Sequence, residues 1–181
     1  LWEHDNYVLI RKDDDDSIIK KHNLTKTVLA EKKAEWKAIL FKERNKRFKP
    51  RLDDKTLTSW NAMMLKGYAD AYRVFGNDDY LASAEKNANF IISNQLREDG
   101  GLNHNYKNGK SSINGYLEDY ASTMDAFITL YENTLNEKWL TTARDLANYT
   151  FDHFFDGASN MFFFTSNEDA SLVSRSIEFR D

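Results

Sequence analysis

The sequence contains no cysteine, one proline and only seven glycines among its 181 residues. Without cysteine it can form neither a disulfide framework nor a thiolate site. So few helix-breaking residues are typical of long helices rather than of a many-turn β-protein. No apolar run approaches the roughly 20 residues that cross a membrane, and the N-terminal residues show no secretory signal pattern. We therefore expect a helical protein of a reducing compartment, cytoplasmic and without a membrane partner.

The chain also lacks an excess of positive charge. Its formal net charge is −4 at pH 7, so no general attraction to nucleic acid is expected. Basic residues do cluster between positions 42 and 51, but cations suit a helix C-terminus and no nucleic-acid-binding motif accompanies them. Apolar residues make up 41% of the chain, which is enough for a folded core.

Apolar residues recur at helical spacing in several long segments. The first predicted helix covers about 26–45, with Thr25 as its cap. Two helical hairpins are predicted to follow, over about 59–94 and 117–154. A β-hairpin turned at Asn108-Gly109 should separate them, and a strand over 161–165 should begin a second one. The predicted fold class is therefore all-α with short β-hairpins.

The two helical hairpins are copies of one unit. A shift of 59 residues, without a gap, places apolar residues on apolar residues, including Leu65 on Met124, Tyr68 on Phe127, Leu81 on Leu140 and Ala84 on Ala143. A repeated unit of this kind cannot bury its inner face alone and needs neighbours. We expect hairpin units at 58–116 and 117–175, the end of an earlier unit with a linker at 26–57, and an irregular lead-in at 1–25 that includes a solvated acidic loop at Asp13–Asp16.

Two strings carry a family resemblance, RFKPRLDDKTLTSWN at 47–61 and GYLEDYA at 115–121. Both resemble the thioredoxin-domain-containing family that includes spermatogenesis-associated protein 20 and its bacterial relatives. The resemblance implies an (α/α)6 six-hairpin toroid, similar to N-acylglucosamine 2-epimerase and the six-hairpin glycosidases. Six units of this size need roughly 350 residues, so the chain would be a fragment of about half a toroid. Half a toroid leaves apolar flanks uncovered, and self-association is an expected consequence.

The resemblance also directs attention to the first turns of the inner helices, which meet at one mouth of such a toroid. Asp119 and Asp54 are the candidate catalytic carboxylates. Glu118 and Lys55 are candidate ligand-binding neighbours. The competing interpretations are structural: acids in a first turn complement the helix dipole, and Asp54 could pair with Lys55 or Arg51. In either case, Asn is a good residue near a helix cap, so Asp119→Asn is expected to leave the fold nearly unchanged.

Three further residues are candidates for sugar contact. Trp60 could stack on a sugar ring or belong to the core, and Asn61 could bond hydroxyls or its local backbone. His104 follows a Gly-Gly pair on the predicted hairpin strand, but its spacing matches no epimerase motif. The other histidines show no ligand spacing, so neither a metal site nor a cofactor is predicted.

Two functions remain open at the level of sequence. One is a carbohydrate-related domain with an epimerase-like or glycoside-hydrolase-like pocket and a small sugar as ligand. The other is a non-catalytic binding or scaffold module of a thioredoxin-like multidomain protein. Fold alone does not decide between them.

Overall fold

A computed structural model describes residues 10–169 and 174–177. The chain divides into two compact units, an N-terminal unit of Leu1–Leu52 and a C-terminal unit of Asp53–Asp181. No helix of the described residues is long and apolar enough to cross a membrane.

The N-terminal unit contains α1 (Asp15–His22) and α2 (Lys26–Asn45). The acidic run predicted as a solvated loop instead starts α1: the side chain of Asp14 accepts from the backbone N of Ser17 at 2.7 Å. The acids that follow lie in the first turn, where the positive end of the helix dipole favours them. The prediction of an irregular lead-in is therefore wrong over α1.

Helix α2 begins where the sequence predicted, because Thr25 Oγ1 accepts from the backbone N of Val28 at 3.2 Å. The helix ends at Asn45, five residues before the proline. Its only buried residue is Leu29, and the rest of its apolar stripe is exposed, including Trp36, Ile39, Leu40 and Phe41.

The C-terminal unit is built on the two predicted helical hairpins. The first consists of α3 (Thr58–Phe75) and α4 (Asp78–Phe90), which continues as a π-helix over Ile91–Gln95. The second consists of α5 (Leu117–Thr134) and α6 (Glu137–Phe154). The two predicted hairpins are confirmed. Their helix bounds also follow the 59-residue repeat, since α5 begins and ends 59 residues after α3, and α6 begins 59 residues after α4.

The corners of the two hairpins also match. Gly76 and Leu135 each end an inner helix in the left-handed conformation, with φ of 64° and 54°. The side chains of Asn77 and Asn136 then each accept a backbone N–H at the start of the next helix. The backbone geometry is thus kept at the second corner although the glycine that makes it easy is absent.

Helices α3 and α5 lie side by side and the core fills the space between them and their partners. The buried apolar residues include Leu65, Ala69, Ile91, Leu102, Tyr120, Phe127, Leu130, Trp139, Leu146 and Phe154. On the exposed side, Lys66 pairs with Asp125 at 2.7 Å and Arg73 with Glu132 at 3.7 Å, so repeat-equivalent positions face each other across the two helices.

A small antiparallel sheet in the order β1-β2-β3 packs at the helix starts; its strands are Thr56–Leu57, Asn103–Lys107 and Lys110–Asn114. The predicted turn is confirmed, because Asn108 and Gly109 join β2 and β3 with positive φ. Strand β1 was not predicted. The second predicted β-hairpin needs correction: β5 (Met161–Phe162) is its second strand and pairs back with β4 (Phe155–Asp156).

Candidate functional site

Asp119 lies in the first turn of α5 with no exposed surface. One carboxylate oxygen, Oδ2, accepts from the backbone N of Tyr116 at 2.9 Å, the residue that caps the helix. The other, Oδ1, accepts from the backbone N of Ser59 in the first turn of α3, also at 2.9 Å. Leu57, the N-cap residue of α3, provides no side-chain cap, so Asp119 satisfies N–H groups at the start of both α3 and α5.

His104 of β2 makes the third contact to the same carboxylate. Its Nδ1 lies 2.9 Å from Asp119 Oδ2. In the tautomer that protonates Nδ1, this atom donates to the carboxylate, which already accepts from the backbone N of Ser59 and the backbone N of Tyr116. In that tautomer the second ring nitrogen, Nε2, carries a lone pair and can accept a proton. The His104 side chain is only 15% exposed, so the imidazole as a whole is largely enclosed.

Aromatic rings flank the histidine. The ring of Tyr116 lies 4.8 Å from that of His104, and Phe164 stacks on Tyr116 at 4.9 Å. The backbone reinforces this arrangement, because the N of Leu117 donates to the carbonyl oxygen of Phe164 at 2.9 Å. The histidine is therefore held by a hydrogen bond to a carboxylate on one side and by ring packing on another.

Strand β2 is fixed to α5 by a close backbone approach at Gly115. Its N donates to the carbonyl oxygen of Leu102 at 2.8 Å, and a Cβ at this position would lie 2.8 Å from that oxygen. The hydroxyl of Tyr120 accepts from the backbone N of Leu102 at 2.8 Å. Burial raises the pKa of Tyr120 to about 12, so the hydroxyl stays protonated. These contacts set the start of the strand that carries His104.

Glu118 is exposed beside the pair, and ligand atoms of His104, Glu118 and Asp119 all lie within 4.8 Å of one another. Such a set contains ligand types that divalent metals accept. However, both oxygens of Asp119 are already taken by N–H donors, and the positive end of α5 disfavours a cation. The geometry suits proton transfer better than metal binding.

Asp54 has a salt-bridge partner that the sequence did not offer. Its carboxylate forms an ion pair with Lys107 of β2, whereas Lys55 pairs with Asp53 at 3.4 Å. The sequence had offered Lys55 or Arg51 as the partner, and it missed Lys107 because that contact depends on the β1-β2 pairing. Asp54 is thus engaged in a salt bridge at the edge of the small sheet.

Trp60 and Asn61 occupy different environments in α3. Trp60 is 67% exposed, so the core interpretation of this residue is wrong. The Asn61 side-chain N donates to the carbonyl oxygen of Leu57 at 2.8 Å, which is the local backbone bond given as its alternative.

Sequence reasoning missed two contributors to this candidate site, the backbone N–H groups of Ser59 and Tyr116. A signal for the second was present: Asp119 follows Tyr116 by three residues, the spacing at which an acid bonds back to the N-cap. No local signal marks Ser59, because its contact with Asp119 joins residues 60 positions apart.

Two longer proteins are similar to this chain in sequence. An uncharacterised protein of Caenorhabditis elegans is 29% identical over 174 residues, which cover 92% of this chain and 24% of that protein. Human spermatogenesis-associated protein 20 is 30% identical over 138 residues, which cover 71% of this chain and 18% of that protein. The chain thus spans about a quarter or less of the length of these curated relatives, and the family resemblance seen in the sequence is confirmed.

Cellobiose 2-epimerase from Bacillus thermoamylovorans is similar in structure, with a TM-score of 0.59 at 17% identity over 64% of this chain and 34% of that one. At this identity the likeness concerns the fold, which is a partial six-hairpin helical toroid. Residues 44–173, well over half of the chain, match the family described as Glycosyl hydrolase family 76. The chain therefore belongs to Glycosyl hydrolase family 76, as a carbohydrate-related six-hairpin domain.

Proposed function

We propose that this domain acts on carbohydrate, with His104 as the proton carrier of the site and Asp119 as the residue that orients it. The observation that carries the proposal is the 2.9 Å contact between His104 Nδ1 and a fully buried Asp119 that two backbone N–H groups hold in place. A scaffold function needs no such pair, and membership of a glycosyl hydrolase family also favours a carbohydrate function.

The chemistry of the pair supports general acid–base catalysis. Imidazole gains and loses a proton near neutral pH, and a carboxylate on one ring nitrogen fixes the tautomer so that the other nitrogen meets the substrate. Asp119 is thus a positioning residue, whereas the sequence had proposed it as the catalytic carboxylate. Glu118 is exposed, and its carboxylate oxygen lies within 4.8 Å of the ligand atoms of His104 and Asp119. We assign this carboxylate to direct contact with the sugar.

Trp60 follows directly on Ser59, whose backbone N touches Asp119. We assign its exposed ring to stacking against the apolar face of a sugar. Asp54 and Lys55, each in an ion pair, and Asn61, bonded to its own backbone, are assigned to supporting this end of α3 rather than to chemistry.

The test is sugar binding by the full-length protein, followed by NMR or calorimetry with glucose, mannose and cellobiose as probes. His104→Gln should weaken binding or abolish turnover, with little change in melting temperature. The matched control is His22→Gln, since His22 is an exposed histidine at the end of α1. No binding of any of these sugars by the folded protein would overturn the proposal and favour the scaffold module.

A further inference from the structure

We propose that Asn108 is a site of spontaneous deamidation, which converts the turn between β2 and β3 to aspartate or isoaspartate. This modification alters the chain itself and requires no sugar or other ligand. The β2-β3 segment contains Asn-Gly at two positions, Asn108-Gly109 in the turn and Asn114-Gly115 at the end of β3. The structure leaves the first pair open to solvent and engages the second in hydrogen bonds.

An asparagine followed by glycine is suited to this reaction, because glycine has no Cβ to hinder the approach of its backbone nitrogen to the preceding side chain. The nitrogen of Gly109 loses its proton and forms a bond to Cγ of Asn108. The bond between Cγ and the side-chain nitrogen breaks, and that nitrogen leaves as ammonia. Solvent water then opens the cyclic succinimide. Opening at Cγ gives aspartate, whereas opening at the main-chain carbonyl carbon gives isoaspartate, in which the backbone runs through Cβ.

The turn gives Asn108 and Gly109 the freedom that ring closure needs. Both residues are exposed, and they lie beyond the last cross-strand pair of the hairpin, Lys107 with Lys110. Nothing lies within 4 Å of a Cβ placed on Gly109, so the turn has room to rotate toward closure. The solvent that removes the proton and opens the succinimide reaches both residues directly.

The second pair is held at the groups that the reaction uses. The side-chain oxygen of Asn114 accepts from Arg97 at 2.8 Å, and its side-chain nitrogen donates to Asp169 at 3.1 Å. The attacking group would be the backbone N of Gly115, which instead donates to the carbonyl oxygen of Leu102 at 2.8 Å. Gly115 is also buried. Deamidation here therefore requires a local unfolding that the turn does not need.

Isoaspartate at position 108 would lengthen the backbone of a two-residue turn. Turn length sets the register of a hairpin, so the added backbone atom opposes the pairing of Lys107 with Lys110. Strand β2 also carries His104, whose Nδ1 contacts Asp119. The modification thus loosens the strand that bears the histidine of the candidate site, although it leaves the histidine and the carboxylate chemically unchanged.

The experiment is incubation of the protein in mildly alkaline buffer, followed by digestion with a glutamate-specific protease. Cleavage after Glu98 and Glu118 releases residues 99–118, so both Asn-Gly pairs lie in one peptide. Mass spectrometry detects deamidation as a gain of one mass unit, and electron-transfer fragmentation locates it and identifies isoaspartate. We expect Asn108 to react at least about 10-fold faster than Asn114, because the hydrogen bonds of Asn114 and of its neighbouring glycine must first break.

A parallel incubation in concentrated urea is the matched control. Unfolding removes the hydrogen bonds of the second pair, so the two rates should approach each other. Asn108→Gln should abolish the fast reaction, because the longer side chain must close a larger and less favoured ring. Asn108→Asp supplies the charge of the product without the added backbone atom. The isoaspartate-containing protein should therefore melt at a lower temperature than Asn108→Asp.

Each alternative result contradicts a separate step. No modification of Asn108, or equal rates at Asn108 and Asn114 in the folded protein, would overturn the proposal. A rate difference that persists in urea would assign the selectivity to neighbouring residue types and overturn the role given to the fold. An isoaspartate-containing protein that melts together with Asn108→Asp would overturn the inferred effect on β2.

Discussion

The two helical hairpins share one backbone but differ in what they place at equivalent positions. Asp119 in α5 is equivalent to Trp60 in α3, and His104 after the first hairpin is equivalent to Phe163 after the second. The first pair contrasts a buried carboxylate with an exposed indole. In the second, an imidazole held by Asp119 contrasts with a phenyl ring that lies 4.2 Å from the Arg175 guanidinium.

This difference shows which features of the molecule follow the repeat and which depart from it. The corners, caps and helix bounds follow the repeat because both hairpins need the same backbone geometry in order to pack. The polar pair occurs where the two copies diverge, at the contact between the strand after one hairpin and the inner helix of the next. Five predictions use equivalent or matched positions to test this comparison.

The largest effect is expected at Asp119. Asp119→Asn replaces an oxygen that faces a backbone N–H with an N–H₂ group and removes the charge, so at least one buried donor loses its acceptor. We expect a loss of about 3 kcal/mol in the free energy of unfolding. This reverses the sequence-based expectation of a nearly unchanged fold.

The equivalent substitution, Trp60→Ala, should cost less than about 1 kcal/mol because the ring is mostly exposed. Urea unfolding of both variants measures the difference. Equal losses in the free energy of unfolding at the two positions would mean that the hydrogen bonds of Asp119 add nothing to stability.

The next effect concerns Gly115, whose repeat equivalent is Thr56, a residue with a side chain. Gly115→Ala would place Cβ against the carbonyl oxygen of Leu102, and we expect a loss of about 2 kcal/mol. Gly157→Ala is the control, since nothing lies within 4 Å of a Cβ there. Urea unfolding gives both values, and a neutral Gly115→Ala would show that β2 shifts freely.

Exposed apolar residues on α3 predict an effect on association. Met64 is 57% exposed, whereas its equivalent on α5, Thr123, is fully buried. We propose that this face, with Met63 and Val74 also exposed, leads the 181-residue chain to self-associate. Met64→Lys should then shift light scattering of this chain toward monomer. A wild-type chain that is monomeric at all concentrations would exclude it.

A smaller, pH-dependent effect is expected after the second hairpin, where Glu168 accepts from the Tyr149 hydroxyl at 2.6 Å and from Arg97 at 2.9 Å. The Tyr149 hydrogen bond, with the Arg97 bond and charge, lowers the pKa of Glu168 below its usual value. A lowered folded-state pKa stabilises the protein above the unfolded pKa of about 4.3, and that stability is lost as pH falls through the folded pKa.

Thermal unfolding between pH 6 and pH 3 measures this contribution. Glu168→Gln should reduce the stability difference across that range, whereas the exposed Glu137→Gln should leave a dependence closer to that of the unsubstituted chain. An identical pH dependence for the unsubstituted chain and Glu168→Gln would contradict the assignment.

The smallest effect is expected at the corners. Leu135 adopts the left-handed conformation without being glycine and is 75% exposed. Leu135→Gly should therefore stabilise the second hairpin by about 1 kcal/mol, whereas Gly76→Ala at the equivalent corner should destabilise the first by a similar amount. Urea midpoints report both signs. A destabilised Leu135→Gly would mean that the leucine side chain contributes packing that outweighs its backbone strain.

The sequence by itself determined the helices and their repetition. Apolar spacing, the Asn77 cap, the Gly76 corner and the Asn108-Gly109 turn are local signals, and local signals fix helix bounds and turns. The same local logic was incomplete at the acidic run before α1, where Asp14 acts as a cap rather than as part of a loop.

Only the tertiary structure decided which candidate residues come together. The Asp119 carboxylate reaches Ser59, 60 residues away, and His104 on a strand whose register no periodicity predicts. The same packing leaves Trp60 exposed and brings Asp54 into an ion pair with Lys107. Residue types determine what chemistry a side chain can perform, but hydrogen-bond partners and burial determine which atoms remain free to perform it, and both depend on contacts between distant segments.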